Sequence, residues 1–184
     1  MGKKFTFILK LCFALLFINN TNKSIAQCNG TSVVNPSFEG PTGANLTPAP
    51  WVICTNTPDT QPCYGGVLSP SNGNSYIGIT AYYPNGNIYE SFSQQLSQNF
   101  SAGQAYTFSI DLAKWNANGY ANGIGEVQIW GGFANCTKSQ LLWSSGSILN
   151  YTWQPYQVAF TPNANYTHLY FEIVDFNCGC FETP

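Results

Sequence analysis

Apolar residues along this chain recur at every second position, in short runs cut by Gly, Pro and Asn. In QAYTFSIDLAKW, Tyr106, Phe108, Ile110 and Leu112 fall on one side and Thr107, Ser109 and Asp111 on the other. GEVQIWGG sets Val127 and Ile129 against Glu126, Gln128 and Trp130, and HLYFEIVDF sets Leu169, Phe171 and Ile173 against His168, Tyr170 and Glu172. A period of two is the signature of half-buried strands. WVICT, SYIGIT, YESFSQQLS, LLWSSGSI and YQVAFTP read as further strands. No window repeats apolar residues at i, i+3, i+4 and i+7 over three turns, so no amphipathic helix is expected. Eight or more short strands with turn signals between them predict one all-β domain, an antiparallel β-sandwich or jelly roll.

The polar sides of the three clearest strands are unusual. A solvated sheet face ordinarily carries Lys, Glu, Thr and Arg. Here it offers Trp130, Tyr170, His168, Gln128, Glu126, Glu172 and Asp111. A sugar presents a C–H face that stacks on an aromatic ring and hydroxyls that need both donors and acceptors. Trp130 and Tyr170 are therefore the stacking candidates, with Trp115 from the loop WNANGYANG as a third. Glu126, Gln128, Asp111 and Glu172 are the candidate hydroxyl partners. Trp51 and Trp153 are assigned to the core or to strand edges.

The first 26 residues have a different character. Lys3, Lys4 and Lys10 surround the start of an apolar run, LCFALLFI, and Ser24-Ile25-Ala26 supplies small residues two apart. That is the pattern of a cleaved secretory signal, here of bacterial type, and the run is too short to span a membrane. Cutting after Ala26 leaves residues 27–184 as the domain. Four lysines leave with the leader and the chain has no arginine, so Lys114 and Lys138 face eight carboxylates, a formal charge of −6. A polyphosphate partner requires a basic surface, which argues against nucleic acid and anionic membranes as partners. The expectation is a secreted or cell-surface monomer with no membrane insertion.

Six cysteines follow the leader: Cys28, Cys54, Cys63, Cys136, Cys178 and Cys180. An even number in an exported chain points to disulfides. Zinc held through Cys178 and Cys180 is the rival, against the usual ligand spacing of two to four residues. CTNTPDTQPC reads as a loop stapled by Cys54 and Cys63. Cys178 and Cys180 are expected to find separate partners.

The N-terminal NPSFE, the NGNSYIGI segment, QQLSQNFSAGQAYTFSIDLA and WQPYQVAFTPNANYTHLYFEI together resemble the carbohydrate-binding-module-like, galactose-binding-like jelly rolls of secreted bacterial proteins. The likeness covers most of residues 33–174. It implies polysaccharide binding, with Phe38 packed inward and Glu39 helping to hold a structural Ca2+ at the sandwich edge. Calcium wants several oxygen ligands; the alternative for Glu39 is a turn-capping carboxylate. Members of that family end in one further strand carrying an acidic pair, whereas this sequence stops at CGCFETP. Either the final strand is lacking, or disulfides through Cys178 and Cys180 replace it.

Catalysis finds little support in the sequence. His168 is the one histidine, and no nucleophile elbow, zinc-peptidase helix, phosphate loop or dinucleotide fingerprint occurs. Paired carboxylates such as Glu126 and Glu172 are what a small glycoside hydrolase or lyase would need. The expectation is a non-catalytic glycan-binding domain, with an adhesive surface module as the second reading and a small jelly-roll hydrolase or lyase as the third.

Overall fold

The computed structural model describes residues 2–8, 33–63, 68–82, 88–114 and 125–175. Among the described residues there are eleven strands and no helix: β1 Gly2–Ile8, β2 Val52–Thr55, β3 Asp59–Gln61, β4 Tyr76–Tyr82, β5 Ile88–Tyr89, β6 Ser91–Gln95, β7 Tyr106–Lys114, β8 Gly125–Gly132, β9 Gln140–Ser144, β10 Gln154–Phe160 and β11 His168–Asp175. They form two antiparallel sheets. One runs β10-β7-β1-β4-β3, with β5 paired to β4; the other runs β2-β6-β11-β8-β9. The all-β antiparallel sandwich expected from the period-two pattern is what the chain forms.

Between the sheets lie the predicted inward rows. Val127 and Ile129 of β8 and Leu169, Phe171 and Ile173 of β11 are fully buried, and Ile77, Ile79, Ile110 and Leu112 meet them from the other sheet. Tyr106 and Phe108, placed on the same row of β7, are only half-buried; they sit near the strand's start and pack on the rings of Phe100 and Phe160. An aromatic cluster fills one flank. Phe92 and Phe171 stack at 5.2 Å and 4°, and Trp51 meets Phe38 at 4.8 Å and Phe92 at 5.3 Å. Trp51 is thus core, and Trp153 lies half-buried just before β10 against Tyr76, its Nε1 donating to the Ser69 carbonyl at 2.8 Å.

The turn 35–39 is built so that Phe38 can enter this cluster. The Asn35 side chain donates to the Glu39 carbonyl and accepts from the Glu39 N–H, both at 2.8 Å, while Trp51 Nε1 donates to the Asn35 carbonyl at 2.9 Å. Asn35 and Phe38 take positive φ, 52° and 58°, a conformation that Asn tolerates better than most residues. Glu39 turns outward. Its carboxylate accepts from the Asn74 N–H at 2.9 Å and from Asn74 Nδ2 at 3.3 Å, pinning the turn before β4.

The cysteine pairing differs from the sequence expectation. Cys54 is bonded to Cys136, 82 residues away, with Cα atoms 5.2 Å apart, and not to Cys63. The reason is topological. Cys54 lies on β2 of one sheet, and Cys63 follows β3 of the other, so CTNTPDTQPC crosses the sandwich instead of folding back on itself. Cys28, Cys178 and Cys180 fall outside the described residues, as does Trp115. The segment read as a leader contributes β1, which pairs with β7 on one side and β4 on the other.

Candidate functional site

The outer face of the β2-β6-β11-β8-β9 sheet assembles most of the predicted residues. Because Leu169, Phe171 and Ile173 point inward, Tyr170 and Glu172 must point outward, and the same alternation turns Glu126, Gln128 and Trp130 out from β8. Register then groups them. Tyr170 is opposite Trp130, Glu172 is opposite Gln128, and Val174 is opposite Glu126. On its other side β11 sets Tyr170 against Ser93 and Glu172 against Ser91. Asp111 is not brought to this group. It belongs to β7 of the opposite sheet, where its carboxylate accepts from Ser71 Oγ at 2.9 Å.

A loop, 133–139, folds across this face. It leaves β8 and returns into β9, yet its middle reaches over β11 as far as β6 and β2. The Cys136 N–H donates to Ser93 Oγ at 3.1 Å, Ser93 Oγ donates to Asn135 Oδ1 at 3.2 Å, and Cys136 is bonded to Cys54 of β2. Gly132 permits the fold-back, since a Cβ there would lie 2.2 Å from the Thr137 carbonyl oxygen. Gly131 has a matching role on the inner side, where a Cβ would strike the Tyr166 ring at 2.5 Å. The consequence is that Tyr170 is only 6% exposed. Burial also pushes its phenol pKa above the usual range, against hydrogen bonds with Ser91 and Thr55 that act the other way.

Lys138 completes the arrangement. Its Nζ is 3.0 and 3.1 Å from the two carboxylate oxygens of Glu172, and it stands 5.2 Å from the Trp130 ring centroid and 5.6 Å from that of Tyr170. Beside it opens a pocket of about 380 Å3, lined by Tyr89, Gln128, Trp130, Lys138, Glu172 and Val174. Gln128 Nε2 donates to Glu126 Oε1 at 2.9 Å, which holds the amide in place along the pocket floor. Trp130 Nε1 is buried with no acceptor among the described residues. An unmatched buried donor of this kind costs about 1–3 kcal/mol.

The structure therefore joins Trp130, Tyr170, Glu126, Gln128 and Glu172 on one face, and places Tyr170 beneath the loop as a floor instead of an open stacking ring. Tyr89, Val174 and Lys138 were not singled out from the sequence. Lys138 carried a usable signal, being one of two lysines after residue 26 and two residues from a cysteine. Tyr89 did not, because it lies at the start of a stretch legible only as strand. Around Glu39 the described residues hold no cluster of three or more acidic, His or Cys side chains. Two of the carboxylate's roughly four lone-pair directions are taken by Asn74 donors, which leaves outer lone pairs and makes the turn clamp its role as arranged.

No known family model matches this chain, and comparison with curated proteins gives no significant match. Among the described residues, no helix is long and apolar enough to cross a membrane.

Proposed function

We propose that this domain is an exported, non-catalytic carbohydrate-binding module that takes a polysaccharide segment into the pocket beside Trp130. The observation that carries the reading is the pocket itself. One wall is an indole, the others offer an amide, a carboxylate, an ammonium and a second aromatic, Tyr89. That is the mixture of flat apolar surface and two-way hydrogen bonding a sugar ring requires. The Trp130 ring lines the pocket, while its N–H is buried away from solvent, so the ring face is the surface offered to a sugar. Jelly-roll connectivity and a Ca2+ on the outer lone pairs of Glu39 belong to the same proposal, and both come from the family resemblance.

Affinity electrophoresis through gels containing soluble polysaccharides tests it, with calcium and EDTA lanes alongside. Trp130→Ala should fold normally and lose at least about fivefold in affinity, the size expected from one aromatic stacking partner worth about 1–3 kcal/mol. Retardation lost in EDTA would support calcium at Glu39. Retardation by no polymer sinks the proposal and favours an adhesive surface module. Reducing-sugar release that disappears in Glu126→Gln or Glu172→Gln would instead make the domain a hydrolase, since these two residues are diagonal neighbours on adjacent strands.

A further inference from the structure

The contacts of Lys138 indicate which sugars the pocket selects. Its ammonium is held by both oxygens of the Glu172 carboxylate and by the faces of two rings, Trp130 and Tyr170. Two aromatic faces and a carboxylate converging on one point make a cation cage, the arrangement that binds ligand ammonium groups when they are desolvated. Here a residue of the protein's own loop fills it.

We infer that the pocket binds amino-sugar polymers bearing free ammonium groups, and that Lys138 is a resident occupant which such a ligand displaces. This rests on the carbohydrate-binding reading of the same pocket.

The charges on this face favour that ligand over an acidic one. Glu172 and Glu126 stand within two residues of each other along the paired strands, and among the described residues Lys138 is the one cation paired with either of them. Gln128, Ser91, Ser93 and Tyr89 complete the surroundings without adding charge, and burial lowers the His168 pKa, which favours its neutral form. A uronate would meet one surplus negative charge with Lys138 in place and two with it withdrawn. A neutral sugar offers Glu172 hydroxyl donors but no positive charge to replace the ammonium. An ammonium-bearing sugar reproduces the ion pair and both ring contacts, so the exchange conserves the interactions. Lys138 can leave readily because its side chain is 43% exposed and its flexible stem returns the head group to water.

The test uses the full chain and three oligosaccharides of equal length: glucosamine, N-acetylglucosamine and galacturonate, measured by calorimetry at low and high salt. The glucosamine oligomer should bind at least about tenfold more tightly than its acetylated form, with no binding of the uronate. Lys138→Gln should strengthen glucosamine binding several-fold by removing the competitor. Glu172→Gln should erase the preference, while Asp59→Asn, which removes the same charge from the other sheet, should not. Should the variants fail to fold, reductive 13C-dimethylation of the wild-type chain serves instead, because it preserves the lysine charge. The Lys138 methyl signal should begin ring-shifted and move to the solvent value as glucosamine oligomer is added. Equal affinity for acetylated and free-amine oligomers, an immobile Lys138 signal on binding, or preference for the uronate overturns the cage and leaves sugar binding standing. Binding of none of the three overturns the amino-sugar selection, and retardation by no polymer in the polysaccharide gels overturns sugar binding itself.

Discussion

Glu90 shows how one residue can tie the two sheets together through its backbone and set the pH response through its side chain. Its N–H donates to the Thr80 carbonyl of β4, and its own carbonyl accepts from Ile173 of β11 in the other sheet. The carboxylate is buried and takes hydrogen bonds from the Thr80 N–H at 2.7 Å and Thr57 Oγ1 at 3.0 Å. Burial pushes its pKa up to about 7, those hydrogen bonds pull against the shift, and the nearby Asp59 carboxylate adds to it. The folded state therefore holds this proton more tightly than the unfolded chain, whose value is near 4.5. The resulting stabilisation is full below about pH 4.5 and is lost as pH rises toward 7. Glu90→Gln keeps an acceptor and a donor in place without the charge. In urea denaturation it should match the wild type at pH 4 and exceed it at pH 8 by about 2–3 kcal/mol. Equal stability at both pH values would show that Glu90 is ionised without penalty.

At the scale of strands and loops, the decisive element is the crossing segment 133–139. Replacing Gly132 by Ala would drive a methyl group into the Thr137 carbonyl, and backbone cannot yield as a long side chain can. The expected cost is about 1–3 kcal/mol of stability, with a rise in Tyr170 exposure as the loop lifts; solvent quenching of aromatic fluorescence together with a denaturation midpoint would register both. An unchanged midpoint would mean that the loop is not held by this contact. The same element explains what could be read in advance. Alternation in GEVQIWGG and HLYFEIVDF fixes which side chains go in and which go out, and those rows lie where expected. It does not say which sheet a strand joins, so Asp111 could be grouped with Trp130 although the two stand on opposite sheets. Nor can local spacing find a partner for Cys54 that lies 82 residues away, or show that Lys138 will lie over two rings. Those depend on sheet order and loop path, properties no single window carries.

For the whole molecule, the position of β1 matters most. It pairs with β7 over six residue pairs and with β4 over four, and it is the element joining β10-β7 to β4-β3. Yet it is drawn from the segment that the sequence pattern reads as an export leader. A chain beginning at Gln27 leaves the facing edges of β7 and β4 one strand apart, a gap of roughly 9–10 Å. Unpaired edges recruit strands from other molecules. In light scattering that shortened chain should therefore self-associate and unfold at a lower temperature than the full one, and added peptide GKKFTFI should reverse both. A monomer of unchanged stability would show that the two halves close without β1. With residues 2–8 in place the sandwich is sealed by its own first residues, and without them it carries an open berth that any strand of matching length can fill.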